Sequence, residues 1–327
     1  MILAGDIGGT HARLAFFEFV NGRFSLVSAS IFPSREYAGL DEIVSKFVET
    51  SNLRPDTACF GIAGPVRNGR VEASNLPWII ESQRLADELK IKKAILINDL
   101  EANAWGIPAL EAKDVVELNK VKGQTVGNQA VIAAGTGLGE AGMYWDGVRH
   151  HVFASEGGHG DFAPRNPLEV ELFNYLRIRF GHVSYERIVS GPGLVNVFNF
   201  LCDSGRGTPA QWLTDEMVHS DPAAAISRAA MDGKCSLCEQ AVDLFVSIYG
   251  AEAGNLALKM MATGGIYLGG GIAPKMLAKL SGPLFMQAFA GKGRMQTLLE
   301  SMPVMVITND QIALLGAARC AQTKTAC

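Results

Sequence analysis

The chain has 327 residues, more than one ordinary core accommodates, so two domains are expected. Hydrophobic residues make up 48% and charged residues 19%, the balance of a soluble globular protein, which excludes a disordered chain. The formal net charge of −4 offers no polyanion-binding surface, which argues against a nucleic-acid partner but leaves room for a small anionic ligand held by backbone amides and a metal ion.

The opening MILAGDIGGT lacks the basic and apolar regions of a secretory leader, and no apolar run of about 20 residues follows it. No membrane association is expected, and a cytoplasmic location is predicted. Cys59, Cys202, Cys235, Cys238, Cys320 and Cys327 are scattered along the chain, as suits reduced thiols. Cys235 and Cys238 form a lone CxxC in text that reads as a helix. A structural role is expected for them, with redox or metal binding as the alternatives.

In chain order, residues 2–7 make a short apolar strand ending in a Gly-Gly turn, 12–19 return as a second strand and 24–32 as a third, an antiparallel meander. Residues 39–50 carry a helical stripe at Leu40, Ile43, Val44, Phe47 and Val48. A strand at 58–66, a helix at 84–90, a strand at 93–99 and a helix from 100 complete an α/β pattern. After 110 the text turns polar, which marks a crossover. Residues 130–147 then repeat the opening form of apolar strand, Gly/Thr turn and apolar strand. Helices are expected at 167–180, 189–203, 222–231 and 235–262, a strand near 264–269, another in 303–310 and a closing helix at 311–322 packed on the first domain. The expected domains are 1–110 plus 308–327, small and α/β, and 111–307, larger and helix-rich. The apolar helices of the larger domain make a homodimer reasonable.

Three glycine-bearing elements follow apolar strands. Gly5, Asp6, Ile7, Gly8, Gly9 and Thr10 form a tight hairpin whose amides can face phosphate oxygens, with Asp6 suited to hold Mg²⁺ through water. The ending of a Walker loop is missing. Gly135, Thr136 and Gly137 follow the strand at 130–134, and the strand-like text after them argues against a Rossmann site. Gly269, Gly270 and Gly271 leave a flat backbone shelf suited to adenosine.

In this order the three elements resemble the actin-like ATPase (ribonuclease H-like) fold, an α/β architecture of two domains with an interdomain cleft. Over nearly its whole length the chain is similar to the bacterial glucokinase family, through GDIGGTHARL, AGPV, SNLPW, LINDLEA, GTGLG, SEGGHGDFAP, GHVSYERIVSGPGL, LGGGIAP and NDQIALLG. The resemblance implies transfer of the γ-phosphoryl group of MgATP to the 6-hydroxyl of glucose. It implies Asp99 as the base that accepts the hydroxyl proton, a role that a carboxylate at a strand end can fill beside capping the next helix. Asn98, Asp99, Glu156, His159, Glu186 and Asn75 are the expected sugar ligands, since acids, imidazole and amides read hydroxyls by paired hydrogen bonds. Trp78 is either near the sugar or a core residue. His11 stands where the family more often has Asn, and Leu100 where it often has Phe. The Cys-rich zinc segment of a sister family is absent after His159. Rival expectations are a kinase of another hexose, a sugar-sensing regulator, for which no helix-turn-helix precedes Ile2, and a filament-forming ATPase.

Overall fold

The computed structural model describes every residue except Lys122, Gln124, Ala326 and Cys327, so the expectation for Cys327 lies outside the described residues. The chain separates into two compact units. One comprises Met1–Asp114, Val152–Ala154 and Asn309 onward, and the other Val115–His151 and Ser155–Thr308.

The first unit holds strands β1 (Ile2–Ile7), β2 (His11–Val20), β3 (Arg23–Pro33), β4 (Thr57–Ile62), the small hairpin β5 (Arg70–Glu72) and β6 (Ile79–Glu81), and β7 (Ala94–Asn98). Its main sheet has the order β3-β2-β1-β4-β7, antiparallel between β1, β2 and β3, and parallel from β1 through β4 to β7. Strand alternation divides the apolar residues between two cores. Leu3, Ile7, Leu14 and Phe16 face helices α1 (Leu40–Ser51) and α2 (Ser82–Leu89), whereas Ile2, Ala4, Ala15 and Phe17 face the last helix (Ile312–Thr325). The stripe on α1 buries Leu40, Ile43, Val44, Phe47 and Val48, and Phe47 stacks on Phe16 with ring centroids 5.2 Å apart. The last helix lies close against α3 (Asp99–Gly106) because both have glycine at the crossing: a Cβ on Gly316 would stand 1.7 Å from the Ala102 carbonyl oxygen, and one on Gly106 would stand 2.4 Å from that of Ile312.

The second sheet is built from β8 (Val115–Glu117), β9 (Gln129–Ala134), β10 (Leu138–Trp145), β11 (His150–Ser155, of which Val152–Ala154 group with the first unit), β12 (Gly265–Gly269) and β13 (Val304–Ile307), in the order β11-β10-β9-β12-β13-β8. Helices α4 (Pro167–Phe180), α5 (Gly191–Asp203), α6 (Gln211–His219), α7 (Pro222–Met231), α8 (Ser236–Met260), α9 (Leu277–Leu280), α10 (Pro283–Ala290) and α11 (Gln296–Glu300) complete the second unit. The 25-residue α8 is its central element, and Tyr249 from it donates to the Ile132 carbonyl at 3.2 Å. The Sγ of Cys235 caps α8 by accepting from the Cys238 N–H at 3.2 Å, so this cysteine has a structural place. Among the described residues no group of three or more metal-ligating side chains comes together, and no helix is long and apolar enough to cross a membrane. The sequence pattern does not announce β5, β6, β8, β11, α6, α9, α10 or α11, which are short or poorly buried. β8 is a three-residue edge strand without a buried residue, and α6 buries only Leu213.

Candidate active site

Three parallel strands of the first unit end level with one another: Ile7 lies beside Ile62, and Ile62 beside Asn98. The turns that follow these ends share one edge of the sheet, the edge at which α/β sheets place their ligands. After β1, the Gly8 N–H donates to the His11 carbonyl at 3.0 Å, and the Thr10 carbonyl accepts from the Ser34 N–H at 3.0 Å. The Ser34 hydroxyl donates to the Gly8 carbonyl at 2.8 Å, so the turn is fixed from both sides. Gly9 lies against Asn75, whose Cβ a Cβ on Gly9 would approach to 2.6 Å. Asn75 lines a groove with Arg35, Tyr37 and Trp78. Trp78 itself belongs to the core, with its indole N–H on the Tyr37 carbonyl at 3.3 Å.

At the end of β7 the sequence Asn-Asp-Leu-Glu starts α3 with a capping box. The Oδ1 of Asn98 accepts from the Leu100 N–H at 2.8 Å, and the Asn98 N–H donates to Glu101 Oε2 at 3.0 Å. Nδ2 donates to the Gly64 carbonyl at 3.2 Å. Asn98 thus spends much of its hydrogen-bonding capacity on backbone, its side chain also accepting from the Glu101 N–H in the capping box, and keeps one amide hydrogen for a ligand. Asp99 is the first residue of α3, half-buried, with Oδ1 accepting from the Leu100 N–H at 3.0 Å. Gly61 allows this placement, since a Cβ there would stand 2.7 Å from the Ala102 Cβ and 3.7 Å from the Asp99 Cα. Asp6 is half-buried on β1 opposite Arg13 of β2. Burial pushes its carboxyl above the usual carboxylate range, and the Arg13 guanidinium opposes that.

In the second unit Gly135, Thr136 and Gly137 join β9 to β10. The Gly135 N–H donates to the Gly137 carbonyl at 2.9 Å, and the Gly135 carbonyl accepts from the Gly191 N–H at the start of α5 at 2.8 Å. Gly270 has φ +80, and a Cβ there would lie 2.3 Å from the Ala134 carbonyl oxygen, so only glycine lets residues 269–271 close on the end of β9. The Ile272 N–H donates to that same carbonyl at 3.3 Å. Gly135 and Gly271 each present an open face, where a Cβ would meet nothing within 4 Å. The hairpin and the glycine shelf are therefore neighbours with accessible backbone.

The acids and imidazole gather beside this hairpin. Glu186 Oε2 accepts from the Leu138 N–H at 2.9 Å, and its Oε1 lies 3.9 Å from His159 Nδ1. His159 closes the 3₁₀ turn Gly157–His159, whose Gly158 rests on the Leu138 carbonyl: a Cβ there would be 1.9 Å from that oxygen. Glu156 precedes the turn and is exposed. The structure thus brings Glu156, His159, Glu186, Gly135–Gly137 and Gly269–Gly271 together in one unit. Gly5–Thr10, Asn75, Asn98 and Asp99 lie together in the other. The grip of Glu186 on the second hairpin, and two buried carboxyls behind the turn, Glu140 and Glu252, escape a reading by motif. The available signal was an acid within apolar text, at LGEAGMYW and YGAEAGNLAL.

Known proteins resemble this chain over nearly its whole length. The glucokinase family model matches residues 3–324. A glucokinase of Nostoc sp. (strain PCC 7120 / SAG 25.82 / UTEX 2576) is 42% identical over 338 residues, covering 98% of each chain. The crystal structure of a glucokinase from an Antarctic psychrotroph is similar with a TM-score of 0.85 at 32% identity, covering 98% of both chains. That of a Balamuthia mandrillaris glucokinase in complex with glucose has a TM-score of 0.79 at 23% identity, over 98% of this chain and 93% of that one, a likeness of fold. The two α/β units are those of the actin-like, ribonuclease H-like ATPase fold. With the family model spanning nearly all residues and a relative of matching extent at 42% identity, the chain belongs to the glucokinase family.

Proposed function

We propose that the protein is an ATP-dependent glucokinase that transfers the γ-phosphoryl group of ATP to the 6-hydroxyl of D-glucose, giving glucose 6-phosphate and ADP. The observation that carries this reading, in a chain of this family, is the placement of Asp99 at the start of α3, directly beyond a strand end level with the first glycine hairpin.

Asp99 accepts the proton of the 6-hydroxyl as that oxygen attacks the γ-phosphorus, and the bond from phosphorus to the β–γ bridging oxygen breaks toward ADP. Asn98, Glu156, His159, Glu186 and Asn75 hold the remaining hydroxyls and so fix which oxygen faces the phosphorus. Asn98 serves by its spare amide hydrogen, while its capping bonds hold the Asp99 backbone. The amides of Gly5–Thr10 and Gly135–Gly137 receive phosphate oxygens, and Gly269–Gly271 seat the adenosine. The open faces of Gly135 and Gly271 fit such a ligand. Mg²⁺, when bound, supplies positive charge against the phosphate oxygens. Asp6 suits it through water, because a nearby cation favours the ionised carboxylate that burial opposes. The reading requires exclusion of water that would otherwise take the phosphoryl group. A homodimer and a cytoplasmic location belong to the same reading.

The test is a panel of glucose, mannose, fructose and N-acetylglucosamine with MgATP, following ADP release and locating the phosphate on the product by NMR. Glucose is expected to give the highest kcat/KM, with phosphate on the 6-oxygen. A higher value for another sugar, or ADP release without sugar phosphate, would overturn the reading.

A further inference from the structure

Beneath the Gly157–His159 turn lies a carboxyl pair that phosphoryl transfer leaves unused. Glu140 of β10 is 1% exposed and Glu252 of α8 is 0% exposed, and the two carboxyls lie close enough for each to bear on the other's ionisation. Neither Glu140 Oε1 nor Glu252 Oε1 accepts a hydrogen bond from any donor among the described residues. Two ionised carboxylates repel in such a space, which favours a proton on one of them, although Lys259 Nζ stands 3.7 Å from Glu252 Oε1. Burial, with the Glu252 charge beside it, holds the Glu140 carboxyl well above the usual carboxylate range, and Lys259 only partly opposes this.

The pair touches both turns that carry the acids and imidazole. Gly157 rests on Glu140, and a Cβ there would come within 1.9 Å of Glu140 Oε2. On the other side, Asn255 Nδ2 donates to Glu252 Oε2 at 2.7 Å and to the Tyr185 hydroxyl at 3.0 Å. Tyr185 opens the 3₁₀ turn Tyr185–Arg187, which bears Glu186. Lys292 closes the network by donating to Asn255 Oδ1 at 2.6 Å and to the Ala251 carbonyl at 2.9 Å.

We propose that Glu140 is a positioning residue for the sugar site, its carboxyl and that of Glu252 forming the floor that fixes the Glu156–His159 turn and ties it to the Tyr185–Arg187 turn. The inference rests on the reading of these turns as hydroxyl-binding. The charged and titratable groups around the pair are Lys259 and Tyr249 of α8, Tyr185, Lys292 with Arg165 and Glu169 beyond it, and Glu156 and His159 on the turn itself. While the pair holds a proton, the repulsion between its carboxyls is relieved and the floor stays packed under Gly157. When that proton is lost at alkaline pH, two adjacent anions repel and Glu140 is driven against the Gly157 backbone. Glucose binding then weakens, whereas Asp99, on the other unit, is untouched.

The experiment measures glucose KM and kcat from pH 7 to 10 for the wild type and for Glu140→Gln, which keeps the shape and a donor but cannot ionise. Wild-type glucose KM is expected to rise about tenfold across the range, the worth of one well-made hydrogen bond. Glu140→Gln should hold its pH 7 value throughout, and kcat at saturating glucose should follow one pH profile in both proteins. A glucose KM with the same pH dependence in the two, rising or flat, overturns the proposal. Glu252→Gln is the companion variant with the same expectation, should Glu140→Gln fail to fold. Glu156→Gln separates the two levels of inference. If it leaves glucose KM unchanged, the sugar-site reading itself fails. If it raises KM while the Glu140 and Glu252 variants titrate like the wild type, only the positioning role fails.

Discussion

Replacing Glu186 tests whether one carboxylate serves two substrates. Its Oε2 accepts from the Leu138 N–H at 2.9 Å, directly beside Gly137, and its Oε1 lies 3.9 Å from His159 Nδ1. The first contact is a hydrogen bond to a charged group, worth roughly 1.5–3 kcal/mol, and its removal leaves a backbone N–H without its partner. The second is too long for a hydrogen bond and contributes little by itself. Glu186→Ala therefore loosens the Gly135–Gly137 hairpin, and at about 1.4 kcal/mol per tenfold the KM for ATP should rise by roughly ten- to a hundredfold. Glucose KM should rise as well if Glu186 holds a sugar hydroxyl as proposed. Glu186→Gln keeps an oxygen for the Leu138 N–H but loses the charge, and hydrogen bonds to neutral acceptors are roughly half as strong. Its ATP KM should rise by only roughly three- to twelvefold, clearly less than in the Ala variant, while its glucose KM still rises. Initial rates with ATP varied at saturating glucose, and glucose varied at saturating ATP, give both numbers. An unchanged ATP KM in Glu186→Ala would refute the claim that this carboxylate holds the hairpin. So would a Gln variant as impaired toward ATP as the Ala variant.

Two further changes probe the scaffold. Gly316→Ala places a methyl group 1.7 Å from the Ala102 carbonyl oxygen, so the last helix and α3 must part. A loss of about 1–3 kcal/mol or more is expected, read as a lowered Tm together with a lowered kcat because α3 carries Asp99. An unchanged Tm would contradict the close packing. Glu140→Gln should alter how stability depends on pH. The folded Glu140 binds its proton more tightly than the ordinary value of 4.5 implies, so wild-type stability is fullest below that value and declines as pH rises through the raised one. The Gln variant lacks this decline. Denaturant unfolding across the interval should show the difference between the two proteins shifting steadily in favour of Gln as pH rises, and parallel profiles would contradict it.

Much of the scaffold was legible because its signals are local. Apolar strands ending in glycine turns at 8–10 and 135–137, and the helical stripe of α1, lie within a few residues of sequence and fold as periodicity dictates. What remained hidden depends on pairs far apart in the chain. Glu186 and Leu138 are separated by 48 residues, and nothing in GHVSYERIVSGPG announces that the acid would bind the hairpin amide. Glu140 and Glu252 were visible only as acids amid apolar text, a pattern that does not say with whom they pair. Gly106 and Gly316 look like ordinary helix glycines until α3 and the last helix cross there. Asn98 and Asp99 sat in a recognisable capping sequence, and the level ending of β1, β4 and β7 became visible only in the strand register. β8 escaped because a half-exposed edge strand of three residues needs no apolar run.

The most direct measurement is the turnover of Asp99→Asn at saturating glucose and MgATP. Asn keeps the size of the side chain and an oxygen for the Leu100 N–H, so α3 loses only about 0.3–1 kcal/mol of charge interaction at its N-terminus. Glucose affinity by calorimetry should stay near wild type while kcat falls by about 10²–10⁴, the contribution of a positioned base. A variant that binds glucose normally and turns over within about threefold of wild type would remove Asp99 from the reaction.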